Sequence, residues 1–237
     1  MSILKYISVT VLLFVLSIST QAQTDFFDQT NSFLSSYVKS GKVDYEQVSQ
    51  NESTLDELVR AVASYSLTGT NKDKAFYMNA YNILVINSVV VNYPISSPLD
   101  VAGFFDAQTH TVAGKTLTLN AIENEVIRPT YKDARIHFAL VCAAKGCPKI
   151  KGKAFTAANQ EIMLEANTKA SMNDDNFIRV DEANKTVNIS KIFEWYKADF
   201  GTTDNDLIAY INQYRDNPIP DGFTVAYYEY DWRLNKL

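Results

Sequence analysis

The chain has 237 residues, 46% of them hydrophobic, 12% aromatic and 21% charged, the proportions of an ordinary globular protein. Eight glycines, six prolines and two cysteines exclude collagen-like, low-complexity and multi-disulfide miniprotein classes. A net charge of −5 speaks against a general nucleic-acid binder, which needs a basic face to release counterions.

Met1 to Gln23 reads as a secretory signal peptide, with Lys5 near the start, an apolar run from Ile7 to Ile18, and small or polar residues after it. The run is too short to cross a bilayer core of about 30 Å as a helix. Thr20 and Ala22 suit a cleavage site, which divides the chain into a leader over 1–22 and a single domain over 23–237. No later stretch reaches spanning length without polar interruption, so no stable membrane insertion is expected after cleavage. The mature chain is expected to be secreted or periplasmic, in a space where disulfides persist.

Apolar residues at helical spacing (Phe26, Phe27, Phe33, Leu34, Tyr37 and Val38) predict a first helix that Gly41 ends. A second follows Ser53 and Thr54, with Leu55, Leu58, Val59 and Val62 as its stripe. The third, Lys74 to about Val91, is apolar nearly all round and stops before Tyr93-Pro94, which marks it as the central core helix. Alternation from Thr109 to Leu117 around Ala113-Gly114 predicts a β-hairpin. Asn120 and Glu123 suggest a capping box for a short helix ending at Arg128.

Arg135 to Cys142 reads as a buried strand, and Thr156 to about Met172 as an amphipathic helix with Ile162, Met163, Ala166 and Ala170 inward. A second hairpin joins Phe177–Val180 to Val187–Ile189. Ser190 caps a helix carrying Phe193, Trp195 and Tyr196, Asp204 opens another, and Phe223 to Tyr230 forms a closing strand. Helices and hairpins come in blocks without regular βαβ alternation. The expected fold is therefore α+β: a single, helix-rich domain with a mostly antiparallel sheet and two β-hairpins.

Five segments carry a resemblance: AFYMNAYN (75–82), LNAIENEVIRP (119–129), RIHFALVCAAKGCP (135–148), SKIFEWYKADF (190–200) and YDWRLN (230–235). Together they resemble the domain of unknown function 547 family. The resemblance implies a single-domain, secreted bacterial member of that family and carries no established reaction with it.

Chemistry concentrates in the third of these motifs. Cys142 and Cys147 lie beside His137, the better placed of only two histidines, which suggests a thiol nucleophile activated by an imidazole. In a regular strand His137 and Cys142 face opposite sides. Cys147, beyond a loop whose Gly146 allows a reversal, is then at least as good a partner. Such a Cys/His pair would make the protein a thiol-dependent hydrolase or acyl transferase of papain-like or transglutaminase-like chemistry.

Candidate orienting or ligand-binding groups are Asn79 and Asn82, which share one face of the core helix, together with Glu123, Arg128 and Arg135. The amides could instead tether the helix to a loop, and the arginines could be structural ion-pair partners. The alternative reading is a non-catalytic extracytoplasmic binding or scaffold domain. In it Cys142 and Cys147 form a local disulfide and the aromatic residues near the C-terminus line a groove. His137 with the two cysteines matches no standard zinc spacing, and no metal or cofactor is implied. The expected partner is a small molecule, peptide or glycan.

Overall fold

The computed structural model describes residues 26–237; the leader expected over 1–22 lies outside them. Helix α1 (26–37) buries Phe26, Phe33 and Leu34. The chain then reverses at Ser40-Gly41 into a ribbon, β1 (Val38–Lys39) with β2 (Lys42–Val43), which the spacing of apolar residues did not announce. Gly41 takes a φ of +80° in that turn, a conformation open to a residue without Cβ. Asp44 caps α2 (Tyr45–Gln50) by accepting from the Gln47 N–H, and α3 (Ser53–Ser64) follows with Leu55, Leu58 and Val62 inward.

The core helix α4 (Asn71–Val91) starts at Thr70, whose hydroxyl accepts from the Lys72 N–H. Asp73 gathers the N–H groups of Thr68 and Gly69 just before it. Almost every side chain of α4 is buried, as a helix that is apolar all round requires. The polar ones among them are tied down. Asn79 donates to the Ala75 and Phe155 carbonyls and accepts from the Phe155 N–H. Asn82 donates to the Ala139 carbonyl and accepts from the Val141 N–H. Both amides thus clamp backbone of other segments to the core.

The hairpin β3 (Thr109–Val112) with β4 (Lys115–Thr118) forms in the expected register. The next helix is not built as its sequence suggests. Thr118, not Asn120, is the cap, accepting from the Ala121 N–H. A short α5 (Leu119–Ala121) widens into a π-helix (Ile122–Ile127) and tightens again into α6 (Arg128–Tyr131), carrying on past Pro129. Proline is tolerated at this point because it occupies the first turn of α6. π-Helical turns are rare and concentrate at functional sites, and Glu123 sits on this one.

Arg135 to Cys142 is not a strand. Asp133 caps a 3-10 turn over Ala134–Phe138 by accepting from the Arg135 N–H, and irregular backbone follows. An apolar run of this length does not separate strand from buried turn by periodicity, and the Asn82 clamp takes the backbone groups a ladder would have used. In α7 (Gln160–Met172) the inward face is Leu164, Asn167, Thr168 and Met172, whereas Ile162 is 74% exposed. Ala166 and Ala170 also face out, so this helix is rotated from the expected orientation.

The second hairpin, β5 (Ile178–Asp181) with β6 (Thr186–Ile189), forms as read. Ser190 caps α8 (Lys191–Trp195), α9 (Lys197–Phe200) follows at once, and Thr203 caps α10 (Asp204–Asn212). The last strand, β7 (Thr224–Tyr227), joins β6 in parallel. The fold is α+β. Its strands make two antiparallel ribbons and one three-stranded mixed sheet around one continuous core. Among the described residues, no helix is long and apolar enough to cross a membrane.

Beyond β7 the chain runs extended and is stitched into the fold from two sides. Lys145 and Gly146 donate to the carbonyls of Arg233 and Asp231, and Asn235 donates to that of Ala143. Val43 donates to the Asn235 carbonyl and accepts from the Leu237 N–H, and the Tyr45 hydroxyl reaches Asn235 Oδ1 at 2.8 Å. A two-stranded ribbon of 143–146 against 231–235 results.

Candidate functional site

Cys142 and Cys147 are joined in a disulfide, with Cα atoms 6.2 Å apart, within the span that geometry permits. Ala143 makes the bend between them in the left-handed region, at φ +61°. Gly146 serves a different purpose from the one its flexibility suggests. A Cβ there would meet the Tyr230 ring at 3.0 Å, so its bareness lets that ring lie flat against the loop. The Tyr230 hydroxyl comes to rest 3.1 Å from the sulfur of Cys142 and 3.2 Å from that of Cys147.

Tyr230 and Trp232 point from the extended tail into a pocket of about 200 Å³. Phe105, Trp195 and Tyr196 complete its aromatic wall, and both sulfurs, Glu123 and His137 line it too. Trp195 and Trp232 stack at 5.8 Å between centroids, and Tyr230 lies 4.8 Å from each. A second groove, of about 390 Å³, shares Cys147 and Pro148 with this pocket and is lined by Lys145, Lys149, Lys151 and Arg179 with Asp174 and Glu229.

At the floor of the aromatic pocket, His137 is buried, 3% exposed. Its Nε2 lies 2.7 Å from Asp199 Oδ2, and its Nδ1 lies 3.5 Å from Glu123 Oε1. Tyr196 stacks on one face of the imidazole at 4.0 Å, and the Arg128 guanidinium covers the far side of Tyr196 at 4.9 Å. Arg128 also grips both oxygens of Asp199, at 2.7 and 3.0 Å. Glu123 also faces Tyr81 and Tyr196, and burial together with its charge pushes both phenols up. Burial would lower the pKa of His137, yet hydrogen bonds to Asp199 and Glu123 raise it above its ordinary value. Asp199 is held well below the usual carboxylate range by its bond to His137, with Arg128 adding to it. The result is an imidazole between two carboxyl groups, a setting that favours its charged form.

The 3-10 turn that presents His137 is anchored by a second charged cluster. Buried Lys74 meets Asp133 at 2.7 Å and Glu161 at 3.3 Å. Arg135 binds Asp133 and Glu161 at 2.8 and 2.7 Å. Burial pushes Asp133 up, but hydrogen bonds from Arg135 and Lys74 outweigh it and hold its pKa down at about 2.

The residues singled out from sequence therefore separate. His137, Cys142, Cys147 and Glu123 all reach the pocket, and Arg128 reaches it through Asp199 and Tyr196. Asn79, Asn82 and Arg135 are engaged in holding backbone and the 3-10 turn. The thiolate and imidazole pair is not formed: no cysteine is free, and each imidazole nitrogen faces a carboxylate. His110, the other histidine, is half-buried with Nε2 3.5 Å from the Ser88 hydroxyl. Asp199, Tyr81 and Phe105 went unnoticed as site residues. Tyr81 and Asp199 left a trace as members of the 75–82 and 190–200 motifs.

Residues 65–170 match the family described as protein of unknown function, DUF547. Over that stretch the chain resembles this family. The match covers α4, the π-helix, the 3-10 turn and the disulfide loop, hence the pocket floor and one wall. Trp195, Tyr196, Tyr230 and Trp232, which complete the pocket, lie outside it, as does Asp199, the partner of His137. No curated protein and no solved structure matches the chain.

Proposed function

We propose that the protein is a non-catalytic, extracytoplasmic binding domain. Its ligand is uncharged and presents an apolar ring face, foremost a sugar ring of a glycan. The single observation that carries this reading is the convergence of Phe105, Trp195, Tyr196, Tyr230 and Trp232 on one solvent-open pocket. Aromatic side chains offer a large apolar face at low entropy cost, with polar edges for orientation. A pyranose presents a face of C–H groups ringed by hydroxyls, which suits stacked indoles with the Asn120 amide beside them.

The charges in the pocket floor favour a neutral ligand. With His137 protonated, it and the Arg128 guanidinium match the carboxyl groups of Glu123 and Asp199, and the cluster then has no net charge to offer. A Cys/His hydrolase needs a thiolate within hydrogen-bond reach of an imidazole with a free nitrogen. Here the sulfurs are bonded to each other and both nitrogens are engaged, so binding is preferred over that chemistry.

The chain has two tryptophans, and both line this pocket. Intrinsic fluorescence therefore reports its occupancy directly. Titration with soluble envelope-type oligosaccharides should change the emission saturably, and Trp232→Ala should weaken binding with the fold retained. Emission indifferent to every neutral oligosaccharide, with the protein folded by circular dichroism, would refute the proposal.

A further inference from the structure

The disulfide itself is built for chemistry that a loop staple does not need. Two hydrogen-bond donors reach Sγ of Cys147: the Cys142 N–H lies 3.0 Å and the Tyr230 hydroxyl 3.2 Å away, and because that hydroxyl also lies 3.1 Å from Sγ of Cys142, it is the Cys142 N–H that distinguishes the two sulfurs. A bonded sulfur is a weak acceptor, whereas a thiolate is a charged one, and charge-assisted hydrogen bonds are about twice as strong as neutral ones. The same two donors would hold Cys147 far more tightly as a thiolate than as half of a disulfide. Cys142 is the more accessible partner, half-buried against 9% exposure for Cys147, and both line the open aromatic pocket.

We infer that Cys142–Cys147 is an exchange-active disulfide that oxidises thiols, with Cys142 as the sulfur attacked and Cys147 as the leaving thiolate. An incoming thiolate forms a bond to Sγ of Cys142. The bond between the two cysteine sulfurs breaks, and its electron pair goes to Sγ of Cys147, where the Cys142 N–H and the Tyr230 hydroxyl receive it. A second thiolate then attacks the substrate sulfur of the mixed disulfide and releases Cys142 as a thiolate. Two thiolates have been oxidised to one disulfide, and the protein disulfide has been reduced to two cysteine thiolates. Leaving-group stability governs the rate of such exchange, and the donors around Cys147 supply it. Tyr230 acts as a positioning residue whose ring is placed by the bare Gly146. The activity does not depend on the binding proposed above, because a small thiol needs no occupant in the aromatic pocket.

The test is reduction of the full native chain by reduced glutathione, followed by alkylation and mass measurement over time. The expected rate is first order in thiol with no plateau, because attack occurs on the folded protein. Tyr230→Phe, matched to the parent in melting temperature, should slow the reaction by about ten-fold, as loss of one charge-assisted hydrogen bond predicts. In the reduced protein the same variant should shift the alkylation pH profile of Cys147 upward. In Cys147→Ser, oxidised glutathione should leave a mixed disulfide on Cys142. A rate that levels off at high thiol, which marks prior unfolding, or a Tyr230→Phe rate equal to the parent's, overturns the inference. Loss of oligosaccharide binding with exchange intact would count against the binding proposal alone.

Discussion

His137 Nε2 and Asp199 Oδ2 meet at 2.7 Å across 62 positions of sequence, and this contact closes the pocket floor. It joins the 3-10 turn to α9 and places Tyr196, three residues before Asp199, flat on the imidazole.

Stability should follow pH through this pair. His137 has a raised pKa in the folded state, so its contribution is full below its ordinary value of 6.5 and is lost as pH rises through the folded value. Asp199 has a depressed pKa, so its contribution is present above 3.8 and is lost as pH falls through its folded value. The joint contribution is greatest between those two ordinary values. Asp199→Asn should lower stability by about 1–3 kcal/mol in that window and less above it. Chemical denaturation of both proteins from pH 4 to pH 9 checks the convergence at the alkaline end.

Glu123 lies 3.5 Å from His137 Nδ1 and faces Tyr81 and Tyr196. Glu123→Leu takes one of the two carboxyl partners from the buried His137, at an expected cost of about 3–5 kcal/mol. Glu123→Gln, which keeps an acceptor oxygen, should recover a substantial part of that loss in parallel urea melts.

Asn82 holds the backbone on both sides of Leu140 through two hydrogen bonds. Asn82→Leu should destabilise the chain by about 1–3 kcal/mol, the penalty of a stranded buried polar group. Faster hydrogen exchange should be confined to residues 139–142, the wall next to the disulfide.

Gly146→Ala would drive a Cβ into the Tyr230 ring, at an overpacking cost of about 1–3 kcal/mol. Because the ring must move, tryptophan emission should change as well, since Tyr230 packs on both indoles. An unchanged emission spectrum would show that the ring had stayed in place.

The disulfide closes a very short loop, so Cys142→Ser with Cys147→Ser should cost only about 2 kcal/mol on chain-entropy grounds. A far larger drop in melting temperature would mean that the bond also holds the 143–146 and 231–235 ribbon together.

Local spacing was enough to read the helices around Leu55, α4 and Asp204, both later hairpins and the α+β class, because each depends on contacts a few residues apart. The same local rules misjudged Arg135 to Cys142 and the face of α7. There the deciding partners, Asn82 and the Lys74–Asp133–Glu161 cluster, come from remote segments. The site shows the same division. His137, Glu123 and the two cysteines stand out by residue type. That His137 would meet Asp199 instead of a thiol, and that Tyr230 would rest on both sulfurs, depends on how α9 and the C-terminal tail dock. Packing brings those segments together, and no periodicity within any one of them records the meeting.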